Sequence, residues 1–204
     1  MNIICHRGYW TSPEEKNTTI SFKRAFELGL GTETDLRDFN GEIVVSHDPP
    51  KDGVMTFRDF LKFAPRNLPL ALNIKSDGIA EKASAELIRA GHDNFFFFDM
   101  SIPDMQLYVR RGLPVAIRLS EYEPIIESLI IQGEYIWLDM FHFQWYGVDE
   151  INNLINLGKQ IFIVSAELHG RDRQGHWKFL ESLKNSDLIT LCTDFPLEAL
   201  TRFS

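Results

Sequence analysis

Thr32-Glu33-Thr34-Asp35-Leu36 decides how the chain is read, together with Ile3-Ile4-Cys5-His6-Arg7-Gly8 before it and Val45-Ser46-His47-Asp48-Pro49 and Leu70-Ala71-Leu72-Asn73-Ile74-Lys75 after it. In each stretch polar groups follow or close a short apolar run, where a β-strand gives way to a loop. Two histidines, an arginine, an asparagine, a lysine and several acids at successive strand ends converge on one point when the strands are neighbours in a parallel barrel.

Outward from this segment, strand-like and helix-like stretches alternate to the last residue. Asn17 or Thr18 caps a helix that carries Phe22, Ala25 and Phe26 on one face and stops at Gly29. Asn40-Gly41 is a turn signal, so Glu42 to Ser46 is either a hairpin partner of the Thr32 strand or a barrel strand of its own. Thr56 with Asp59 starts a short helix, Leu68 to Ile74 is a strand, Ile79 to Ala90 is a helix closed by Gly91, and Phe95 to Asp99 is a strand. Ser101-Ile102-Pro103-Asp104 opens a helix. Strands at Pro114 to Leu119, Tyr135 to Met140, Gln160 to Ala166 and Leu188 to Cys192 follow. Helices at Pro124 to Ile131, Asp149 to Leu157, Gly175 to Leu183 and Pro196 to Phe203 separate and close them. One strand more than eight is counted. The expected fold is α/β, a compact single-domain (β/α)8 TIM barrel over residues 1–204, with an open doubly wound sheet as the other parallel arrangement.

Composition narrows the function. With 204 residues, 44% hydrophobic and 25% charged, the chain fits one globular domain. A net charge of −8 and no basic run longer than Arg110-Arg111 argue against a nucleic-acid partner. No signal-peptide pattern and no apolar stretch of membrane-spanning length is seen, so a cytoplasmic protein is expected. Cys5 and Cys192 read as small apolar strand residues. Phosphate-loop, serine-elbow, zinc-helix and dinucleotide signatures are missing, which removes those enzyme classes.

Nearly every expected strand ends in a polar group: His6 and Arg7, Glu33 and Asp35, His47, Asn73 and Lys75, Asp99, Arg118, Asp139, Glu167, and Asp194. Glu33 with Asp35, and Asn73 with Lys75, are two residues apart, which places each pair on one face of a strand with roughly 6 to 7 Å between Cα atoms. Two carboxylates that close raise each other's pKa unless a positive charge offsets them. Mg²⁺ or Ca²⁺ does so with hard oxygen ligands, and a salt bridge to Arg7 or Lys75 is the structural alternative. Histidine both takes and gives a proton near neutrality, arginine matches phosphate oxygens with a planar fork, and lysine adds a point charge. Together these residue types point to transfer at phosphorus.

The pattern resembles the glycerophosphodiester phosphodiesterase family. His6-Arg7-Gly8, Glu33-Thr34-Asp35 and His47-Asp48-Pro49 stand in the family's order and spacing, and Thr193-Asp194-Phe195-Pro196 matches its closing motif. The resemblance implies that His6 and His47 are acid and base, that Glu33 and Asp35 bind the divalent metal, and that Arg7 and Lys75 hold the substrate phosphate. It further implies that a hydroxyl beside the phosphodiester attacks phosphorus, giving a cyclic phosphate that water opens. Two other outcomes stay open: a lyase that stops at the cyclic phosphate, and a non-catalytic module that binds phosphate esters.

Three departures from the family pattern stand out. Asn73 occupies the position of the third acidic metal ligand, and its amide oxygen still coordinates Mg²⁺ or Ca²⁺ with one charge less, so weaker metal binding is expected. Glu15-Lys16 replaces the usual Pro-Glu ahead of Asn17-Thr18. Only seven residues separate Asp48 from Thr56, where many members carry an insertion. Asp99, Arg118, Asp139 and Glu167 are candidate contacts to the alcohol of a small-molecule phosphodiester. Phe141, Phe143, Trp145 and Tyr146 read as core, subunit contact or substrate platform. Gly170 to Gly175 reads as a surface loop or a mobile lid, and His92, His142, His169 and His176 as loop or surface histidines.

Overall fold

The chain is described by a computed structural model over residues 1–183 and 186–203. Its contacts gather into two compact units, Cys5–Val115 and Met1–Ile4 with Ala116–Ser204.

In the Cys5–Val115 unit, the end of β1 (Asn2–His6) is followed by α1 (Thr19–Glu27), β2 (Gly31–Phe39), β3 (Glu42–Val45), α2 (Phe57–Leu61), β4 (Leu70–Ile74), α3 (Ala80–Ala90), β5 (Phe95–Phe98) and α4 (Ile102–Arg110). The strands run in the order β5-β4-β2-β1, and β2, β4 and β5 are mutually parallel. Every residue of β4 is buried, as expected of a parallel strand covered on both faces. Phe22 of α1 and Phe60 of α2 meet edge to face at 4.7 Å, so the two helices pack through aromatic side chains.

β2 is longer than the Thr32–Leu36 expectation because Leu36 to Phe39 pair antiparallel with β3. Asn40 (φ 49°) and Gly41 (φ 79°) are both left-handed, the requirement of a tight hairpin whose twist matches its strands. β3 pairs β2 and stands off the main path of the sheet, which accounts for the surplus strand in the sequence reading.

The second unit contains β6 (Ala116–Leu119), α5 (Glu127–Ile130), β7 (Tyr135–Leu138), α6 (Val148–Asn156), β8 (Gln160–Val164), α7 (Arg173–Leu180), β9 (Ile189–Thr193) and α8 (Pro196–Phe203). Its strand order is β1-β9-β8-β7-β6, with β6 to β9 parallel. α5 is shorter than expected: Ser120 and Glu123 bridge each other through backbone, and Ile126 is still extended, so the helix starts only at Glu127.

α7 departs from expectation in the other direction. Asp172 accepts from Gln174 N (3.2 Å) and Gly175 N (3.4 Å), so the cap draws Arg173 and Gln174 into the helix. Arg171 Nη1 donates to Met140 O at 2.8 Å and Arg173 pairs with Glu198 at 2.6 Å. The Gly170–Gly175 segment is therefore a turn and a capped helix start, not a lid. His92 and His176 are buried, against the surface reading: His92 Nε2 meets Pro65 O at 3.0 Å, and His176 Nε2 meets the Tyr146 hydroxyl at 3.0 Å. Tyr146 is itself core, whereas Phe143 is exposed. Cys5 and Cys192 are buried free thiols. No described helix is long and apolar enough to cross a membrane.

Candidate active site

The Cys5–Val115 unit gathers most of the expected residues. β1 ends at His6, and the chain then turns through Arg7 (φ 58°) and Gly8 (φ 81°). A Cβ on Gly8 would lie 2.5 Å from Ser21 Oγ, so glycine is required both by conformation and by space. Gly8 N donates to Thr32 Oγ1 (2.9 Å), whose hydroxyl donates to Cys5 O (3.0 Å), and Arg7 N donates to Glu33 O (3.0 Å). These bonds hold the His6-Arg7 corner against β2, the strand that carries the acids.

Glu33 and Asp35 are buried, at 2% and 0% exposure, yet they are surrounded by charge. His6 Nε2 stands 3.9 Å from Glu33 Oε2, Arg7 Nε 3.0 Å from Asp35 Oδ2, and Lys75 Nζ 3.5 Å from Asp35 Oδ1 and 3.9 Å from Asp99 Oδ2. Arg7 Nε is close enough to Asp35 for a hydrogen bond but lacks the alignment of one, so the contact is an ion pair. In the parallel register Asp35 lies opposite Asn73, and Lys75 N donates to Leu36 O at 2.9 Å. Strand pairing thus sets amide, lysine and carboxylate side by side.

Three buried oxygens in this group accept no hydrogen bond: Glu33 Oε2, Asp35 Oδ1 and Asn73 Oδ1. Buried polar atoms are normally satisfied, and a cluster of hard oxygens short of hydrogen-bond donors is one that an oxygen-seeking cation would satisfy. Burial raises the Glu33 carboxyl to about 8, and the Asp35 charge pushes it further in the same direction, against the pull of Arg7 and Lys75. The donor set therefore fits Mg²⁺ or Ca²⁺.

His47 follows β3, and its return places Ser46 N on Asp35 O at 3.0 Å. The ring is about half exposed, with Nδ1 2.8 Å from Asp48 Oδ1. That bond, with the His47 charge behind it, lowers the Asp48 carboxyl.

One contributor went unread in the sequence. Asn17 Nδ2 donates to Asp35 Oδ2 at 2.8 Å while its Oδ1 accepts from Thr34 at 2.9 Å. Its left-handed backbone (φ 58°) makes this reach possible. The signal present was an Asn-Thr pair before a helix, which reads equally well as a cap.

Arg118, Asp139 and Glu167 lie in the second unit, each with partners there. Arg118 holds Glu123 with two bonds, of 2.7 and 3.0 Å. Asp139 Oδ1 accepts from Met140 N and faces His169 Nε2, both at 2.7 Å, and the His169 ring leans on Phe141 at 4.8 Å. Glu167 accepts from the hydroxyls of Ser165 and Thr193 and from Asp194 N (3.2 Å), and Ser165 in turn accepts from buried Trp177 at 2.7 Å. The His169–Asp139 pair spans 30 residues and has no local sequence signal.

The fold is that of the (β/α)8 barrels, in the α/β class. Solved structures that share it include a glycerophosphodiester phosphodiesterase from Agrobacterium tumefaciens, with a TM-score of 0.73, 17% identity and all of both chains covered. Another is the Thermotoga maritima enzyme of the same description, at TM-score 0.67 and 18% identity over 99% of this chain and 97% of that one. An Oleispira antarctica phosphodiesterase in complex with the product sn-glycerol-3-phosphate matches at TM-score 0.71 and 12% identity, covering 100% of this chain and 96% of its own. At these identities the likeness is one of fold. No protein-family model and no curated protein matches the chain.

Proposed function

We propose that the chain is a glycerophosphodiester phosphodiesterase, a metal-dependent hydrolase of a small-molecule phosphodiester of glycerol or a similar small alcohol. The observation that carries this reading is the buried Glu33–Asp35 pair. It stands beside His6, Arg7 and Lys75, and with Asn73 it offers three oxygens that accept no hydrogen bond. The shared fold with enzymes of that description supports it.

In this reading Glu33, Asp35 and Asn73 hold Mg²⁺ or Ca²⁺, which supplies charge neutralisation at the phosphate oxygens. Arg7 and Lys75 bind the same phosphate, the first through its guanidinium fork and the second as a point charge. Both are pre-positioned by Asp35, and Asp99 steadies Lys75 from the other side. One histidine takes the proton of the substrate hydroxyl next to the diester as its oxygen bonds to phosphorus. The other gives a proton to the departing alkoxide as the old P–O bond breaks. Water then opens the cyclic phosphate to the monoester, with the two roles exchanged. Arg118, Asp139 and Glu167 each bond to neighbouring side chains or backbone, which supports a framework role in the loops they hold.

Phosphorus NMR of glycerophosphodiesters with Mg²⁺ or Ca²⁺ tests this. The expected result is metal-dependent formation of a phosphomonoester that disappears in His6→Ala and His47→Ala. A cyclic phosphate as the final product would reassign the chain as a lyase. Binding without turnover across the screen would sink the enzymatic reading.

A further inference from the structure

We infer a second ligand site in the Cys5–Val115 unit, between α2 and α3, that takes a nucleoside phosphate. The site is a cleft of about 390 Å³, within the range of small-molecule sites. Its apolar floor is Leu61, Ala64 and Ala90, and four cations line it: Arg58, Lys62, Arg66 and Arg89. Four positive side chains around a single acid, Glu86, run against a chain with 29 acidic and 21 basic residues.

A framework ion pair explains only part of this. Arg58 reaches Glu86 Oε1 at 3.4 Å and Glu42 at 3.7 Å, and Lys62 pairs with Asp59 at 2.7 Å. Arg66 and Arg89 have no carboxylate partner among the described residues. Arg66 is laid against the Gly91 turn, where a Cβ would come within 3.3 Å of its guanidinium, so the cation is placed by the shape of the helix end. Positive charge near the last turn of α3 also suits the helix dipole, yet that attraction does not consume the hydrogen-bond donors of either arginine.

Glu86 supplies the second observation. The residue is 4% exposed, it lines the cleft, and its Oε2 is buried without a hydrogen-bond partner. A buried carboxylate oxygen calls for a donor. The occupant must therefore combine an anion for Arg66 and Arg89, a flat body for the floor, and an N–H for Glu86. Inorganic phosphate and pyrophosphate lack the last two, and a sugar phosphate lacks the flat body. Nucleotides whose base carries an N–H have all three, and AMP and GMP serve as probes.

Calorimetry on the full chain, with EDTA present, tests the assignment independently of the proposed reaction. AMP and GMP are expected to bind at least tenfold more tightly than pyrophosphate or purine riboside 5′-monophosphate, whose base carries no N–H donor. Affinity is expected to fall at least tenfold in Arg66→Gln/Arg89→Gln and to stay unchanged in Arg7→Ala. Both arginines are exposed, so their replacement spares the core. Equal binding of AMP, GMP and either control, indifference to the double substitution, loss in Arg7→Ala, or no binding by the wild type at millimolar nucleotide would each overturn it.

Discussion

Asn73 sets the working range of the proposed metal site. Its oxygen is buried and, like those of Glu33 and Asp35, accepts no hydrogen bond, but it brings no charge, so Asn73→Glu is expected to bind Mg²⁺ or Ca²⁺ more tightly, by about tenfold or more. Titration calorimetry of both proteins checks this, and tighter binding by the wild type would count against it. Glu33 adds a pH signature. Its folded pKa lies above the ordinary 4.5, so without a divalent ion the folded state binds the extra proton. The associated stability is full below about 4.5 and is lost as pH rises through about 8. Metal binding at pH 7 is accordingly expected to release protons, read from calorimetry in buffers of different ionisation enthalpy, and a null result would remove Glu33 from the ligand set. That His6, Arg7, Glu33, Asp35 and Lys75 come together was legible because each sits in a short local motif. Asn17 was not, because its bond to Asp35 depends on a left-handed backbone that no local spacing announces.

Among the elements, the strands were read well and several helix starts were not. A strand such as β4 is apolar along its length and declares itself. The start of α7 is decided by one carboxylate, Asp172, and that of α5 by a backbone bridge, neither of which alters hydrophobic spacing. The same kind of side-chain bond ties helix to strand further on. Trp177 in α7 donates its indole N–H to Ser165, just after β8. Ser165→Ala would leave that donor buried without an acceptor and is expected to destabilise the protein by about 1 to 3 kcal/mol, measured by urea unfolding. Catalytic constants of the folded fraction are expected to be unchanged.

For the molecule as a whole, strand and helix alternation was enough to name the barrel class, because buried parallel strands need little beyond continuous apolar runs. The basic cleft was invisible to a search for basic runs, since Arg58, Lys62 and Arg66 are spaced four apart and Arg89 comes from another helix. Buried histidines also escaped notice. His176 has its pKa lowered to about 4, chiefly by burial, with Arg171 adding to the effect. The unfolded chain therefore binds the extra proton between about 6.5 and 4, so stability is lost as pH falls through that window, by at most about 3 kcal/mol. Denaturation at pH 7 and pH 4.5 is expected to show a shallower dependence in His176→Phe, even where that change lowers stability overall. The hairpin of β2 and β3 carries a last implication, in time. Ser46 N reaches Asp35 O at a separation of 11 residues, through the Asn40-Gly41 hairpin, while Lys75 N reaches Leu36 O at a separation of 39, across a parallel crossover. Hairpins close in about 1 to 10 μs, and parallel pairing waits on longer loops. Pulse-labelled hydrogen exchange is expected to protect the Ser46 amide before that of Lys75, so that during refolding the segment leading to His47 is anchored beside Asp35 before Lys75 arrives.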